Sequence, residues 1–123
     1  MESPIDLTEL VRLGDTATNA SSNDNAHSFV HDIIELFLTL TPDIYATARA
    51  AYADGDAQSV ARAAHKLKSQ AAYFGSRRMV AVCKQLETHG YAGELTRCER
   101  LLDDLEDELD RVVAALQPHR HRG

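Results

Sequence analysis

Residues 63–76 read AAHKLKSQAAYFGS, and how this stretch winds decides the fold. From about Ala57 to Phe74 the apolar residues Val60, Ala63 or Ala64, Leu67, Ala71 and Phe74 form one line at helical spacing. That is the pattern of a helix burying a single face. Gly75 breaks the line and marks a turn, after which Ser76 can cap a new helix. At 100° per residue, His65 stands roughly 150° from the centre of the apolar line. Its neighbours on that outer face are Ala61, Arg62, Lys68, Ser69 and Ala72. The spacing therefore predicts a histidine held out to solvent on rigid backbone, among small side chains and within reach of a lysine.

The same period continues on both sides. Between His27 and Ala53 the apolar positions are Val30, Ile33, Phe37, Leu40, Ile44, Ala48 and Ala51. They keep one face across Pro42, although a proline inside a helix costs about 3 kcal/mol. One long kinked helix is expected there rather than two. Asp54, Gly55 and Asp56 end it, with Gly55 suited to a left-handed cap and Asp56 to the next N-cap. Met79, Val82, Cys83 and Leu86 outline a third helix, closed by HGYAG at residues 89–93. A fourth, from about Glu94 to Leu116, buries Leu95, Cys98, Leu102, Leu105, Leu109, Val112 or Val113, and Leu116, and Pro118 stops it. Residues 5–13, IDLTELVRL, support a short helix at best, and residues 14–25 are small and polar.

Strand patterns are absent, and four amphipathic helices with short joints cannot bury their faces singly. The expected architecture is all-α: an antiparallel four-helix bundle over residues 26–117. A short helix and linker precede it in residues 1–25, and residues 118–123 form a polar tail.

A chain of 123 residues and 13.6 kDa suits one domain with a modest core. The net charge is -6, and seven of the acids fall between Glu99 and Asp110. With no dense basic stripe to neutralise phosphates, nucleic acid is not an expected partner. The acidic run reads as a solvated helix face. Cys83 and Cys98 occupy apolar helical positions, as buried thiols do in a reducing compartment. No apolar run approaches the 18 residues of a membrane span, and no basic-then-apolar leader opens the chain. A cytoplasmic protein is expected, without a membrane partner, and a monomer, because four helices can satisfy one another.

Three chemistries compete for His65. A metal site needs converging ligands, yet positions 61, 68, 69 and 72 hold no His, Cys, Asp or Glu. The His27/His31 pair, four residues apart, lacks a third ligand nearby in sequence. A nucleophilic triad needs an acid to orient the imidazole, and the outer face supplies none locally. A carrier role fits better. An imidazole nitrogen can attack a phosphoryl group directly and form a phosphoramidate of high transfer potential. Such a group must be reachable by a bulky partner, which suits the small face of Ala61, Ser69 and Ala72, and it gains from a cation such as Lys68. No phosphate-cradling glycine loop is present, so ATP binding by the chain itself is not expected.

The stretch AHKLKSQAAYFG resembles the signature of histidine-containing phosphotransfer (HPt) domains. That signature is a histidine followed by x-Leu-Lys, two small residues and a glycine ten positions on, matched by His65, Leu67, Lys68, Ser69 and Gly75. VCKQLE at residues 82–87 continues the likeness, with Cys83, Leu86 and Glu87 where the family commonly carries Cys, Leu and an acid or amide. The resemblance runs from the FVHDIIELFLTLTPDIYATARAAYADGD helix to the acidic last helix. It implies that His65 accepts a phosphoryl group from a receiver-domain aspartate and passes it to another receiver. Lys68 would neutralise the phosphate, and Glu87, from the neighbouring helix, would orient the ring. Mg²⁺ would belong to the receiver, leaving this chain without a cofactor or metal of its own, and a hybrid histidine kinase could supply the donor. Ser69 stands where the family often has Gly, and Gln70, Tyr73 and Phe74 also depart from its pattern.

Receiver docking requires apolar surface near His65. Candidates are Leu7, Leu10 and Val11 of the first helix and Ile34, Leu38 and Tyr45 of the long one, with Arg62 and Lys66 available to steer an acidic partner. Two other classes remain: an interaction-only bundle, and the phosphoacceptor domain of a histidine kinase fed from ATP on a separate catalytic domain.

Overall fold

Three joints built alike divide the chain into its helices. At each, a backbone N–H bonds to the carbonyl five residues earlier: Asp56 to Ala51, Ser76 to Ala71, and Glu94 to His89. The residue just before each donor is a glycine with positive φ. This is the closed helix end that glycine permits and other residues strain to reach. Between the joints lie α1 (Asn23–Ala53), α2 (Ala57–Tyr73), α3 (Arg77–Tyr91) and α4 (Leu95–Leu116), followed by a single 3₁₀ turn at Gln117–His119. The computed structural model describes residues 5–6 and 23–119, so the expected N-terminal helix lies outside the described residues.

Short joints force each helix antiparallel to the one before it. α1 packs on α2, α2 on α3, α3 on α4, and α4 returns to α1, which closes the bundle. The α2–α3 seam is the most extensive. The described residues are all helix and connection, with no strand.

α1 is one continuous helix with Pro42 inside it. What holds it across the proline is its buried side: Ile34, Phe37, Thr41, Ala48 and Ala51. Phe37 meets Phe74, at the end of α2, edge to face with ring centroids 4.5 Å apart, the geometry aromatic pairs prefer. Along α2 the buried line is Val60, Ala63, Ala64, Leu67, Ala71 and Phe74, as the spacing predicts. α3 contributes Met79, Cys83 and Leu86, and α4 contributes Cys98, Leu102, Leu105, Leu109, Val112 and Leu116. Both cysteines are buried free thiols.

The sequence reading of faces and caps fails at several places, Leu95 among them, which is only half-buried. Leu40 is exposed, while Thr41 beside it is fully buried with its hydroxyl unpartnered. α1 carries an apolar stripe wider than its contact, so hydrophobicity alone could not centre the face, and the polar Thr41 disguised where the centre lies. Ile33 and Ile44 are only half-buried for the same reason. Ser76 occupies the N-cap position of α3 but makes no side-chain capping bond; its hydroxyl is buried without a partner. By contrast, Asp56 caps α2 as its type predicts, accepting from the Ser59 amide at 3.1 Å and the Ser59 hydroxyl at 2.6 Å.

Gly75 is needed twice. Its φ is +65°, and a Cβ there would lie 2.6 Å from both Cβ and the carbonyl oxygen of Asp6. The Asp6 amide donates to the Phe74 carbonyl at 2.6 Å, so Asp6 lies directly over the α2–α3 turn.

Candidate functional site

α2 and α3 run antiparallel with their polar edges side by side, and this sets residues 65 and 87 opposite each other. His65 leaves α2 on its outer edge with a side chain 60% exposed. From α3, the Glu87 carboxylate reaches its Nδ1 at 3.3 Å. The other carboxylate oxygen lies 2.7 Å from Nζ of Lys68, one turn beyond His65. That second contact is an ion pair by distance rather than an aligned hydrogen bond. Glu87 thus bridges the imidazole and the ammonium.

Glu87 is only 16% exposed and Lys68 27% exposed, so the carboxylate and its cation sit at the floor while the ring stands above them. Burial pushes the Glu87 carboxyl up, but contacts from Lys68 and then His65 outweigh it and hold the group below its usual range. Cys83, one turn before Glu87 on α3, is fully buried, and burial together with the Glu87 charge pushes its thiol up to about 12. It is a packing residue, not a nucleophile.

The arrangement engages Nδ1 of His65 through an acceptor, which favours the tautomer with the proton on Nδ1 and the lone pair on Nε2. A nucleophilic nitrogen on a ring this exposed, whose carboxylate partner also holds a lysine ammonium, can attack an electrophile brought by another molecule. Among the described residues no group of three His, Cys, Asp or Glu could hold a metal ion.

The remaining sequence candidates separate into those the structure brings to this face and those it does not. Arg62, Ser69 and Ala72 are exposed on α2 around His65. The Ser69 hydroxyl bonds back to the His65 carbonyl at 3.3 Å, which keeps it folded against its own helix. Gly75 forms the turn. Ala61, expected on the small outer face, is instead fully buried, because α3 presses against it at Gly90. The wheel placed it correctly in angle; the closeness of the second helix covered it.

The expected apolar docking residues of α1 are displaced. Ile34 is fully buried in the core. Leu38 and Tyr45 are half-buried and pack against the core. The Tyr45 hydroxyl donates to the Leu102 carbonyl at 3.2 Å and accepts from Arg49, which also pairs with Asp103. These contacts turn Tyr45 to the α1–α4 seam, away from His65. Leu7, Leu10 and Val11 lie outside the described residues.

Apolar surface is supplied instead by residues that periodicity assigned to the core or passed over. Leu36, Leu40 and Tyr73 are 52%, 39% and 49% exposed. By helical angle, Leu36 and Leu40 lie on the flank of α1 nearest α2, and Tyr73 on the flank of α2 nearest α1. The exposed edge of α2 therefore has the α3 carboxylate on one side at His65 and this apolar strip on the other toward its far end, where Phe37 meets Phe74. The bulk of Tyr73 was the signal available in the sequence.

No curated protein sequence matches the chain. Among solved structures, the crystal structure of histidine-containing phosphotransfer protein B (HptB) from Pseudomonas aeruginosa PAO1 has a similar fold. It is 22% identical, with a TM-score of 0.82, covering 99% of this chain and all of that one. No helix among the described residues is long and apolar enough to cross a membrane. The Hpt domain family model matches residues 32–115, a span that includes His65, Lys68 and Glu87. More than half of the chain is matched, and it belongs to the Hpt domain family, with a histidine phosphotransfer role in phosphorelays.

Proposed function

We propose that the protein is a phosphorelay intermediate whose His65 takes a phosphoryl group from a receiver-domain aspartate and returns it to the aspartate of another receiver. The observation that carries this reading is the Glu87 bridge: one carboxylate holds Nδ1 of an exposed imidazole at 3.3 Å and a lysine ammonium at 2.7 Å.

In the accepting step, the Nε2 lone pair attacks the phosphorus of an aspartyl phosphate. The P–N bond forms as the P–O bond to the aspartate breaks, and the carboxylate leaves with the electron pair. Nδ1 keeps its proton, so the ring gains positive charge, and the Glu87 carboxylate beside it offsets that charge. Lys68 faces the added phosphate. In the passing step the second receiver's carboxylate attacks the same phosphorus, the P–N bond breaks, and the neutral ring is regenerated.

Nothing in this sequence of bonds needs a cofactor on the Hpt chain. Mg²⁺ belongs to the receiver, where it neutralises the charge that develops on the transferring oxygens. Leu36, Leu40 and Tyr73 offer the apolar contact, and Arg62 and Lys66 the positive rim, for a receiver whose phosphorylation site is acidic. The chain acts as a monomer in the cytoplasm, with the donor receiver free or part of a hybrid histidine kinase.

The test is transfer of labelled phosphate from phosphorylated receivers with Mg²⁺ to wild type and His65→Ala. Acid-labile, base-stable label on wild type alone supports the reading. No label from a broad receiver panel, with folding verified, rejects it in favour of an interaction-only bundle.

A further inference from the structure

Gly90 lies inside α3, three residues past Glu87, on ordinary helical backbone. Glycine is among the poorest residues for a helix interior, and no turn or positive φ calls for it here. It is buried, and a Cβ built on it would lie 2.7 Å from Ala61 Cβ, 2.8 Å from the Ala57 carbonyl oxygen and 3.1 Å from the Ala61 amide nitrogen. Two of these are backbone atoms, and Ala61 is itself fully buried. None can swing aside as a flexible side chain would. The two helix backbones approach as closely at this point as the absence of one methyl group allows.

Ala61 is one turn before His65 on α2, and Gly90 one turn after Glu87 on α3. The crossing point is therefore the neighbouring rung of the seam that carries the Glu87 bridge. At 3.3 Å, the Glu87–His65 contact is already near the long end of a hydrogen bond. Opening the seam by even several tenths of an ångström takes it out of range.

We propose that Gly90 is a positioning residue for phosphoryl transfer: with Ala61 it sets the α2–α3 separation at which Glu87 holds Nδ1 of His65. It acts through Glu87 and touches neither the ring nor the phosphoryl group. The inference rests on the phosphotransfer reading for its consequence, though not for its geometry.

The test uses the full chain and three variants. Gly90→Ala adds the clashing methyl. Gly90→Ala with Ala61→Gly removes the Cβ–Cβ clash and leaves the approaches to the Ala57 carbonyl and the residue 61 amide, so it restores the site in part; it also serves if the single variant folds poorly. Gly93→Ala is the control: its φ is +75° and nothing lies within 4 Å of its Cβ, so it strains the α3–α4 turn without touching the seam. The first readout is the ¹⁵N spectrum of the His65 ring. Wild type and Gly93→Ala should show the Nδ1-protonated tautomer, Gly90→Ala a shift toward a tautomer mixture, and the double variant an intermediate. The second is single-turnover transfer from a phosphorylated receiver, expected to fall about tenfold in Gly90→Ala, the effect of one lost orienting hydrogen bond.

A folded Gly90→Ala with the wild-type ring spectrum overturns the proposal. So does a Gly93→Ala that loses the tautomer preference equally, since that would tie the effect to general destabilisation. If wild type accepts no phosphoryl group, the functional reading fails, while the ring spectra still decide the spacing claim.

Discussion

Glu87 reaches His65 from the neighbouring helix, 3.3 Å from carboxylate oxygen to Nδ1, across a gap of 22 residues in sequence. Because the same carboxylate also binds Lys68, removing it has two effects: the ring loses its orienter and the lysine its anchor. Glu87→Gln keeps an acceptor but removes the charge that offsets the phosphorylated ring. Transfer from a receiver should slow about tenfold in Glu87→Gln and further in Glu87→Ala, with His65→Ala accepting nothing. Rapid-quench measurement of labelled phosphate checks the order, and equal rates in wild type and Glu87→Ala would contradict it.

Lys68 is expected to matter after the bond forms. In the proposed transfer its ammonium would offset the phosphate charge, a charge-assisted contact whose loss is about 1.5–3 kcal/mol. Lys68→Ala should therefore lower the equilibrium share of phosphorylated protein by roughly tenfold or more while leaving the fold intact. The measurement is the labelled fraction at equilibrium with a phosphorylated receiver.

The pH dependence of stability has a definite sign at Glu87. Its carboxyl is held below the ordinary value in the folded protein. The unfolded chain thus binds a proton first as pH falls. The stabilisation is present above the ordinary carboxyl range near pH 4.5 and is lost as pH drops through the folded value. Denaturant titrations of wild type and Glu87→Gln should converge on acidification and separate toward neutrality. Curves with a constant offset throughout would show that the charge contributes nothing.

Core and strip should answer oppositely to truncation. Ile34→Ala and Phe37→Ala empty fully buried positions and should cost about 2–5 kcal/mol of unfolding free energy. Leu40→Ala lies at an exposed position and should change stability by only about 0.5 kcal/mol. Combined with Tyr73→Ala, however, it should weaken receiver binding by about tenfold or more. Titration calorimetry with a receiver, beside urea melts, separates the two. Unchanged receiver affinity in the double variant would remove the strip from the interface.

Much of this was legible beforehand, and the reasons differ by element. α2 announced itself because its buried line is narrow, apolar and uninterrupted, and His65 fell far from it. The joints were readable because glycine and aspartate stand where a helix end needs them. The core centre of α1 was not, since Leu36, Leu40 and Ile44 are as apolar as Ile34 and Phe37, and only the partner helices decide which side is covered. Ala61 and Gly90 escaped for a related reason: a small residue in a helix has no sign of its own, and closeness is a property of two chains together. The pairing of Glu87 with His65 needed knowledge of the fold, because nothing in a single helix relates positions 65 and 87.

The three joints are each closed by bonds within six residues, and the helices pack chiefly on their neighbours in sequence. Such a chain can assemble by zipping successive hairpins, with little loop entropy lost before contacts form. Among the described helices the main non-local closure is α1 on α4, and the α2–α3 hairpin lies in the middle with the largest seam. Native-state hydrogen exchange should accordingly find its slowest amides in α2 and α3 and faster opening at the α1–α4 side. Exchange that is slowest in α1 or α4 would refute this order. The phosphoryl-carrying face would then ride on the part of the chain that forms earliest and opens last, leaving the opposite side free to breathe without disturbing the histidine.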